Sequence, residues 1–110
     1  MYEYNARIRR VIDGDTVEAD VDLGFNIWIR SKIRLLGIDA PERGEVGYDG
    51  SRNWLSRILI NDARGYVVLK TEKDRTGKYG RMLGILYTGQ LGEKSVNTEL
   101  VDSGHAKFWS

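Results

Sequence analysis

Two short acidic segments each place carboxylates next to a predicted chain reversal. The first is Asp13-Gly14-Asp15-Thr16 and the second is Asp39-Ala40-Pro41-Glu42. Asp15 shares the strand parity of the apolar positions that follow it, so its side chain is predicted to point towards the protein interior. A carboxylate there is costly unless it is paired or bound to a metal ion. Asp39 and the backbone carbonyls beside it could bind a hard cation, leaving Glu42 to reach over the site. Either segment could also be an ordinary polar turn.

A single arginine interrupts an otherwise apolar run. Arg34 lies within Ile33-Arg34-Leu35-Leu36-Gly37-Ile38, which is typical of a strand covered on both faces. An arginine in that setting needs an anionic partner. One interpretation is a structural salt bridge, for instance to Asp15 or Glu42. The other is a fork that binds a phosphate group, which suits the planar guanidinium.

A basic segment with an aromatic residue inside it spans positions 74–81, Asp-Arg-Thr-Gly-Lys-Tyr-Gly-Arg. Arg75, Lys78 and Arg81 could contact phosphate groups, while Tyr79 could lie against a base or a sugar. The alternative is a solvated hairpin loop in which Arg81 forms a salt bridge.

The composition limits the kind of metal site that is possible. The chain of 110 residues has no cysteine and one histidine, which excludes thiolate sites and a multi-histidine zinc site. Any metal site must therefore use oxygen ligands, which favours calcium, magnesium or manganese. The formal net charge of +1 argues against a protein that coats DNA by bulk charge, but it allows a local basic patch.

The order of predicted elements indicates a mainly β fold with two helices. We predict strands over residues 6–12, 16–23, 26–38, 66–71 and 81–88, and helices over 51–61 and from Ser95 to about Ser103. Asp13-Gly14 predicts a tight hairpin between the first two strands, and Ser95 predicts a helix N-cap. A five-stranded OB-fold β-barrel with a helix after its third strand fits this order. An open five-stranded α+β sheet is the alternative.

The length predicts a single domain over residues 1–110. No apolar run is long enough to span a membrane, and the first residues do not resemble a signal peptide. We expect a monomer without an obligate protein partner and without membrane contact. We expect a cytoplasmic protein if the chain starts as given, and a secreted one if an export signal has been removed.

Taken together and in this order, the segments resemble the staphylococcal nuclease (thermonuclease) family. The matching runs are Val-Ile-Asp-Gly-Asp-Thr-Val at 11–17, Ile-Arg-Leu-Leu-Gly-Ile-Asp-Ala-Pro-Glu at 33–42 and Asp-Arg-Thr-Gly-Lys-Tyr-Gly-Arg at 74–81. The resemblance implies an OB-fold nuclease that hydrolyses DNA and RNA with calcium and leaves 3′-phosphates. A non-catalytic nucleic-acid-binding OB-fold module is the alternative function.

The resemblance also implies a role for individual residues. Asp15 and Asp39 match the calcium-binding carboxylates, and the backbone carbonyl of Ala40 matches a further ligand. Glu42 matches the carboxylate that positions or deprotonates the attacking water. The phosphate-binding arginines correspond to Arg34 and Arg81.

Overall fold

The computed structural model describes residues 2–71 and 81–109. The strands are β1 (Tyr2–Asp13), β2 (Thr16–Asp22), β3 (Trp28–Leu35), β4 (Ile38–Asp39), β5 (Tyr66–Thr71), β6 (Arg81–Tyr87) and β7 (Lys107–Phe108). The helices are α1 (Tyr48–Ser56), which continues into a π-helical segment at Arg57–Asp62, and α2 (Val96–Asp102); a short 3-10 turn occupies Gly89–Leu91.

Five of the strands form a closed barrel in the order β1-β2-β3-β6-β5. The β1–β2, β2–β3 and β5–β6 pairs are antiparallel, and antiparallel pairing of β1 with β5 closes the barrel. β3 and β6 run parallel, with Lys32 opposite Arg81 and Arg34 opposite Leu83. The predicted OB-type barrel is confirmed, and the open-sheet alternative is wrong.

Alternation along the strands fills the barrel with apolar side chains. On β2, Val17, Ala19 and Val21 are fully buried, whereas the residues between them are half-buried. The outward positions of β2 carry Thr16, Glu18, Asp20 and Asp22, opposite Arg34, Lys32, Arg30 and Trp28 of β3. The helices add further fully buried residues, among them Leu55, Leu59 and Leu100. The period-2 pattern of the sequence therefore sets the inner and outer faces of the barrel.

The predicted third strand, residues 26–38, is not continuous. β3 ends at Leu35, and the chain turns through Leu36 and Gly37 before β4 begins at Ile38. Gly37 has φ +83°, a conformation that glycine adopts at no steric cost. The prediction of one strand over residues 26–38 was wrong because the apolar residues on both sides of Gly37 resemble a single continuous strand. The corner that results places Asp39 beside Arg34.

The far end of the β2–β3 hairpin also differs from the prediction. β2 ends at Asp22, one residue before the predicted end at 23, and Leu23 is 40% exposed. Ile27 and Ile29 continue the inward parity of β3, yet they are 54% and 37% exposed. The hairpin is long enough to carry these residues beyond the barrel core, so strand parity no longer determines burial there.

The other boundaries are close to those predicted. β1 starts earlier than predicted, at Tyr2, because its first residues pair with β5. α1 starts at Tyr48, inside the predicted loop. The Ser95 side chain caps α2 by accepting a hydrogen bond from the Thr98 N–H, as predicted. Within the described residues, no helix is long and apolar enough to cross a membrane.

Candidate active site

The β1–β2 turn positions Asp15 through a close approach that only glycine permits. Gly14 is buried, and a Cβ at this position would lie 1.9 Å from Ser51 Oγ and 2.9 Å from Ala40 Cβ. The turn can therefore lie directly against the start of α1 and the residue after β4. This contact brings Asp15 Oδ2 to 2.9 Å from the Ala40 backbone N–H, which donates to it. The Asp15 side chain is 13% exposed.

Arg34 braces the corner between β3 and β4. Its Nη1 donates to the Leu35 carbonyl at 2.9 Å and to the Ile38 carbonyl at 2.8 Å. Its Nη2 lies 2.5 Å from Asp39 Oδ1 and 3.4 Å from Asp15 Oδ2. The predicted anionic partner is thus present in Asp15 together with Asp39. The suggested salt bridge to Glu42 does not occur among the contacts of the described residues.

Two carboxylates consequently converge on one nitrogen atom. Asp15 lies at the barrel mouth with little exposure, whereas the Asp39 side chain is 65% exposed. Like charges this close repel unless a cation lies between them, and the Arg34 guanidinium occupies that place. The arrangement is therefore a pair of carboxylates joined by one guanidinium, with Asp39 on the solvent side.

Asn97 on α2 holds the corner from behind. Its side chain is 4% exposed. Its Nδ2 donates to the Leu36 carbonyl at 2.9 Å and to the Gly84 carbonyl at 3.1 Å, and its Oδ1 accepts from the Leu86 N–H at 3.2 Å. One buried amide thus joins β6, α2 and the turn that leads into β4.

The C-terminal segment holds the corner from the side. β7 pairs with β4, with Asp39 opposite Lys107. Trp109 donates its backbone N–H to the Gly37 carbonyl and its indole Nε1–H to the Ile38 carbonyl, both at 2.9 Å. The Ile38 carbonyl therefore accepts from both Arg34 and Trp109. The two hydrogen bonds to the Ile38 carbonyl fix the backbone directly before Asp39, and the pairing with Lys107 fixes Asp39 itself.

Glu42 lies on the loop that follows the corner, in an exposed position. Its backbone N–H donates to Glu45 Oε1 at 2.6 Å, and its carbonyl accepts from the Glu45 N–H at 2.9 Å. This reciprocal pair fixes the backbone of a tight turn. The Glu42 carboxylate is then presented at the surface two residues after Ala40.

The remaining predicted residues lie in or next to the stretch that the structure leaves out. Arg81 is described through its backbone, which starts β6 opposite Lys32, on the strand adjacent to Arg34. Arg75, Lys78 and Tyr79 lie outside the described residues. Their roles as substrate contacts stay predictions.

An open cleft of about 300 Å³ adjoins the corner. It is lined by Ile12, Asp13, Thr16, Lys32 and Arg34. The Asp13 carboxylate accepts a hydrogen bond from the Tyr48 hydroxyl at 2.7 Å. Arg34 lines this cleft and also contacts both carboxylates, so it links the cleft to Asp15 and Asp39.

The donor set can be compared with what a metal ion would need. In residues 2–71 and 81–109, no three acidic or histidine side chains come close enough together to hold a metal ion. Two carboxylates do converge, and the Ala40 backbone lies beside one of them. The two carboxylates are hard oxygen donors, whereas the observed Ala40 contact is made by its N–H and not by its carbonyl. A hard cation with few protein ligands keeps several waters, so the two carboxylates would suit a hydrated hard cation in place of Arg34 Nη2.

Sequence reasoning did not assign roles to the residues that position the corner. Asn97 and Trp109 are an amide and an indole with no charge, so nothing in their type points to a phosphate or a metal. Their importance follows from the carbonyls they reach, 61 and 71 positions earlier in the chain. Two signals pointed to Asn97 without giving it a role: a weaker match to the family over Val96-Asn97 and Leu100-Val101, and the need of a buried polar residue on a helix for hydrogen-bond partners.

A closed five-stranded barrel with this strand order and two helices defines an OB-type fold, with paired carboxylates and an arginine at the barrel mouth. Comparison with known proteins identifies the family. A family profile described as "Staphylococcal nuclease homologue" matches residues 32–110. The chain belongs to the staphylococcal nuclease family, as its motifs predicted.

Individual relatives agree with this assignment. The chain is 29% identical to a protein named micrococcal nuclease from Shigella flexneri over 94% of its own length, and 31% identical to thermonuclease from Staphylococcus intermedius over 93%. It is 34% identical over 94% of its length to a protein of Escherichia coli named uncharacterized endonuclease. It covers 58%, 59% and 60% of these relatives, respectively.

Proposed function

We propose that this chain is a nuclease that uses Ca²⁺ to hydrolyse phosphodiester bonds of DNA and RNA and leaves 3′-phosphates. The observation that carries the proposal is the convergence of Asp15, Asp39 and Arg34 on one point of a rigid corner. The nuclease names of its relatives support the reaction class. Calcium and the choice of polymers come from the family resemblance and from the oxygen donor set.

Phosphodiester hydrolysis makes two demands on a protein. A water molecule must be held in line with the leaving 5′-oxygen, and the negative charge that builds on the phosphoryl oxygens must be neutralised. The water oxygen bonds to phosphorus, the bond from phosphorus to the 5′-oxygen breaks, and the leaving oxygen takes up a proton. A bound cation supplies positive charge to the phosphoryl oxygens and to a coordinated water.

In this proposal, Asp15, Asp39 and the Ala40 carbonyl would hold the cation. The cation would replace the contacts that the two carboxylates make with Arg34 Nη2. Nη2 would then be available to the substrate phosphate, while Nη1 keeps its hydrogen bonds to the Leu35 and Ile38 carbonyls. Arg34 thus both maintains the corner and binds a phosphoryl oxygen with fixed geometry.

Glu42 and Arg81 complete the proposed set. Glu42 is exposed on a turn fixed by Glu45, so its carboxylate can orient the attacking water or accept its proton. Arg81 starts the strand next to Arg34, from which it would contact the same phosphate. Arg75, Lys78 and Tyr79 are proposed to hold the flanking part of the substrate strand.

The proposal is tested by incubating the protein with single-stranded DNA and with RNA, in Ca²⁺ and in excess chelator. We expect cleavage in Ca²⁺ alone, with products that carry 3′-phosphates and 5′-hydroxyls. Glu42→Gln should lose about 100-fold or more in rate. Glu93→Gln, an exposed glutamate beyond the barrel, is the matched control and should retain full activity. Absence of Ca²⁺-dependent cleavage at micromolar protein would contradict the proposal.

The same assay addresses the alternative function, a binding module without catalysis. The OB-type barrel alone is compatible with that function, because such barrels bind oligonucleotides on the outward face of strands 2 and 3 and on adjacent loops. Oligonucleotide binding that persists in chelator, with no product formed in Ca²⁺, Mg²⁺ or Mn²⁺, would favour it.

A further inference from the structure

The outward face of β3 carries a row of basic side chains that ends in an aromatic residue. Arg34, Lys32, Arg30 and Trp28 follow one another at every second position, so their Cα atoms are about 7 Å apart. Trp28 is 52% exposed, and the side chains of Arg30 and Arg34 are 57% and 25% exposed. The row runs from the candidate active site to the hairpin tip. Its spacing is comparable to the distance between consecutive phosphates in an extended single strand.

Lys32 occupies the position next to the reacting centre. It lines the open cleft together with Arg34, and it is exposed. No carboxylate lies within 4 Å of its Nζ among residues 2–71 and 81–109. The cleft also contains Asp13, whose carboxylate is bound to the Tyr48 hydroxyl. Lys32 is therefore a cation in a cleft large enough to receive a phosphate group.

The acidic row on β2 beside it is largely neutralised. Glu18 pairs with Arg10, and Asp20 contacts both Arg9 and Arg30 at 3.7 and 3.0 Å. The hydrogen bond and charge of Asp20 raise the pKa of Arg30. Because the carboxylates of Glu18 and Asp20 already have arginine partners, they repel a nearby phosphate less than free carboxylates would. The outer surface of β3 can thus accept an anionic strand.

The far end of the row supplies surface on which a base can stack. Trp28 lies on the same outward face as Lys32, and Phe25 at the hairpin tip is 96% exposed. A basic groove that ends in exposed aromatic rings is typical of proteins that bind single-stranded nucleic acid, because rings stack on bases of any sequence. Charge and ring chemistry therefore favour a nucleic-acid strand over a second apolar protein surface.

We propose that the outward row of β3 is a track for the substrate strand, in which Lys32 binds the phosphate next to the scissile one and Trp28 stacks on a base further along. This inference rests on the proposed nuclease function, because the scissile phosphate is assigned to Arg34. It makes the preferred substrate a single-stranded polymer of several nucleotides. A duplex would keep its bases paired and away from Trp28.

The first test compares substrates that do and do not contain the neighbouring phosphate. In Ca²⁺, kcat/KM is measured for a dinucleotide with one phosphodiester and for a single-stranded 12-mer. Lys32→Ala should lower the advantage of the 12-mer over the dinucleotide by about two- to fivefold, the value of one exposed ion pair. Lys70→Ala, which removes the same charge from β5 on another side of the barrel, is the control and should leave the advantage unchanged.

The second test measures binding alone, with the metal chelated and the 12-mer labelled. Lys32→Ala should reduce the slope of log K against log salt by about 0.7, the loss of one phosphate contact on a single strand. Trp28→Ala should weaken binding roughly fivefold or more, and Trp28→Phe should retain most of the affinity because it keeps a ring. This arm requires no catalysis.

The outcomes separate the two proposals. If the wild-type protein binds the 12-mer with the expected variant effects but cuts nothing, the track stands and the nuclease function fails. If the protein cuts both substrates and neither the Lys32 nor the Trp28 variant changes the 12-mer advantage or the binding slope, the track is overturned. It is also overturned if Trp28→Ala abolishes self-association in sedimentation without changing oligonucleotide affinity.

Discussion

The two ends of β3 are built in opposite ways. At the Leu35 end, the chain turns at a corner held by the Arg34 guanidinium, the Asn97 amide and the Trp109 indole. At the Trp28 end, the hairpin extends beyond the barrel, and its side chains from Leu23 to Arg30 are exposed. β3 thus connects two different regions. At the corner, the Leu35, Leu36, Gly37 and Ile38 carbonyls all accept hydrogen bonds, whereas the hairpin has little packed against it.

The difference indicates that the two ends of β3 suit different tasks. A site that stabilises developing charge must keep its donors in place, which requires support behind each of them. A surface that accepts a flexible polymer of variable sequence needs exposed charge and rings, and gains little from such support. If this comparison holds, substitutions at the Leu35 end of β3 should change activity and the free energy of unfolding far more than substitutions at the Trp28 end.

The largest effect is expected from Arg34→Lys. Lysine keeps the positive charge but cannot donate to the Leu35 and Ile38 carbonyls while also contacting a phosphate. We expect a loss of about 100-fold or more in kcat, measured by oligonucleotide cleavage, with a folded circular dichroism spectrum. Arg9→Lys, an exposed arginine paired with Asp20, is the control. Activity within threefold of wild type would show that the bracing is not needed.

Asn97→Ala should produce the largest change in stability. It removes three hydrogen bonds and leaves the buried Leu86 N–H and the Gly84 carbonyl without this partner. We expect the free energy of unfolding to fall by about 2–4 kcal/mol, measured by urea denaturation. Asn53→Ala, on the exposed face of α1, should change it by about 0.5 kcal/mol or less. Equal losses in the two variants would contradict the assigned role of Asn97.

Trp109→Phe tests the lateral support of the corner alone. It removes the indole hydrogen bond to the Ile38 carbonyl but keeps the backbone bond to Gly37. We expect a loss of about 1 kcal/mol in the free energy of unfolding and a fall in kcat, because Asp39 is held less firmly. An unchanged kcat together with reduced stability would mean that the contact serves folding only.

The smallest effect, and one of opposite sign, is expected at the hairpin tip. Phe25 has φ +54°, a left-handed conformation that costs a bulky residue about 1–2 kcal/mol. Asparagine tolerates this conformation, so Phe25→Asn should raise the free energy of unfolding by about 0.5 kcal/mol. Urea denaturation of Phe25→Asn and of Asn97→Ala gives the change in the free energy of unfolding at each end of β3, so the two ends can be compared directly. A loss above 1 kcal/mol would show that Phe25 packs against the fold.

The elements of the barrel could be predicted from sequence because their signals are local, whereas closure of the barrel was implied by the family resemblance. Asp13-Gly14 marks the first turn, alternation around Val17 marks the buried face of β2, and Ser95 marks the start of α2; the structure confirms each of them. These features depend on residues a few positions apart. The proximity of Asp15, Arg34 and Asp39 is different, because Asp15 lies 19 and 24 positions from the other two; it was implied by the family resemblance.

The supports of the corner could not be predicted, because they depend on distant contacts. Gly37 is a local sign that the apolar run from Ile33 to Ile38 can bend, but the contacts with Asn97 and Trp109 that fix the bend are distant in sequence. In the same way, the alternation of Ile27 and Ile29 indicates strand but not how far the hairpin extends past the core. Periodicity predicts on which face of a strand a side chain lies, whereas the burial of that side chain depends on whether another element covers the face.

The pairing of β4 with β7 has a consequence for the order in which the protein acquires its form during synthesis. The ribosome makes Ile38 seventy-one residues before the tryptophan whose indole binds its carbonyl. The β1–β2–β3 meander can form while the chain is still being translated, because its contacts are close in sequence. The corner that carries Asp39 must wait until residues 107–109 have left the exit tunnel. Maturation of the site therefore follows the translation of residues 107–109, well after the segments that carry Asp15 and Arg34 have been made.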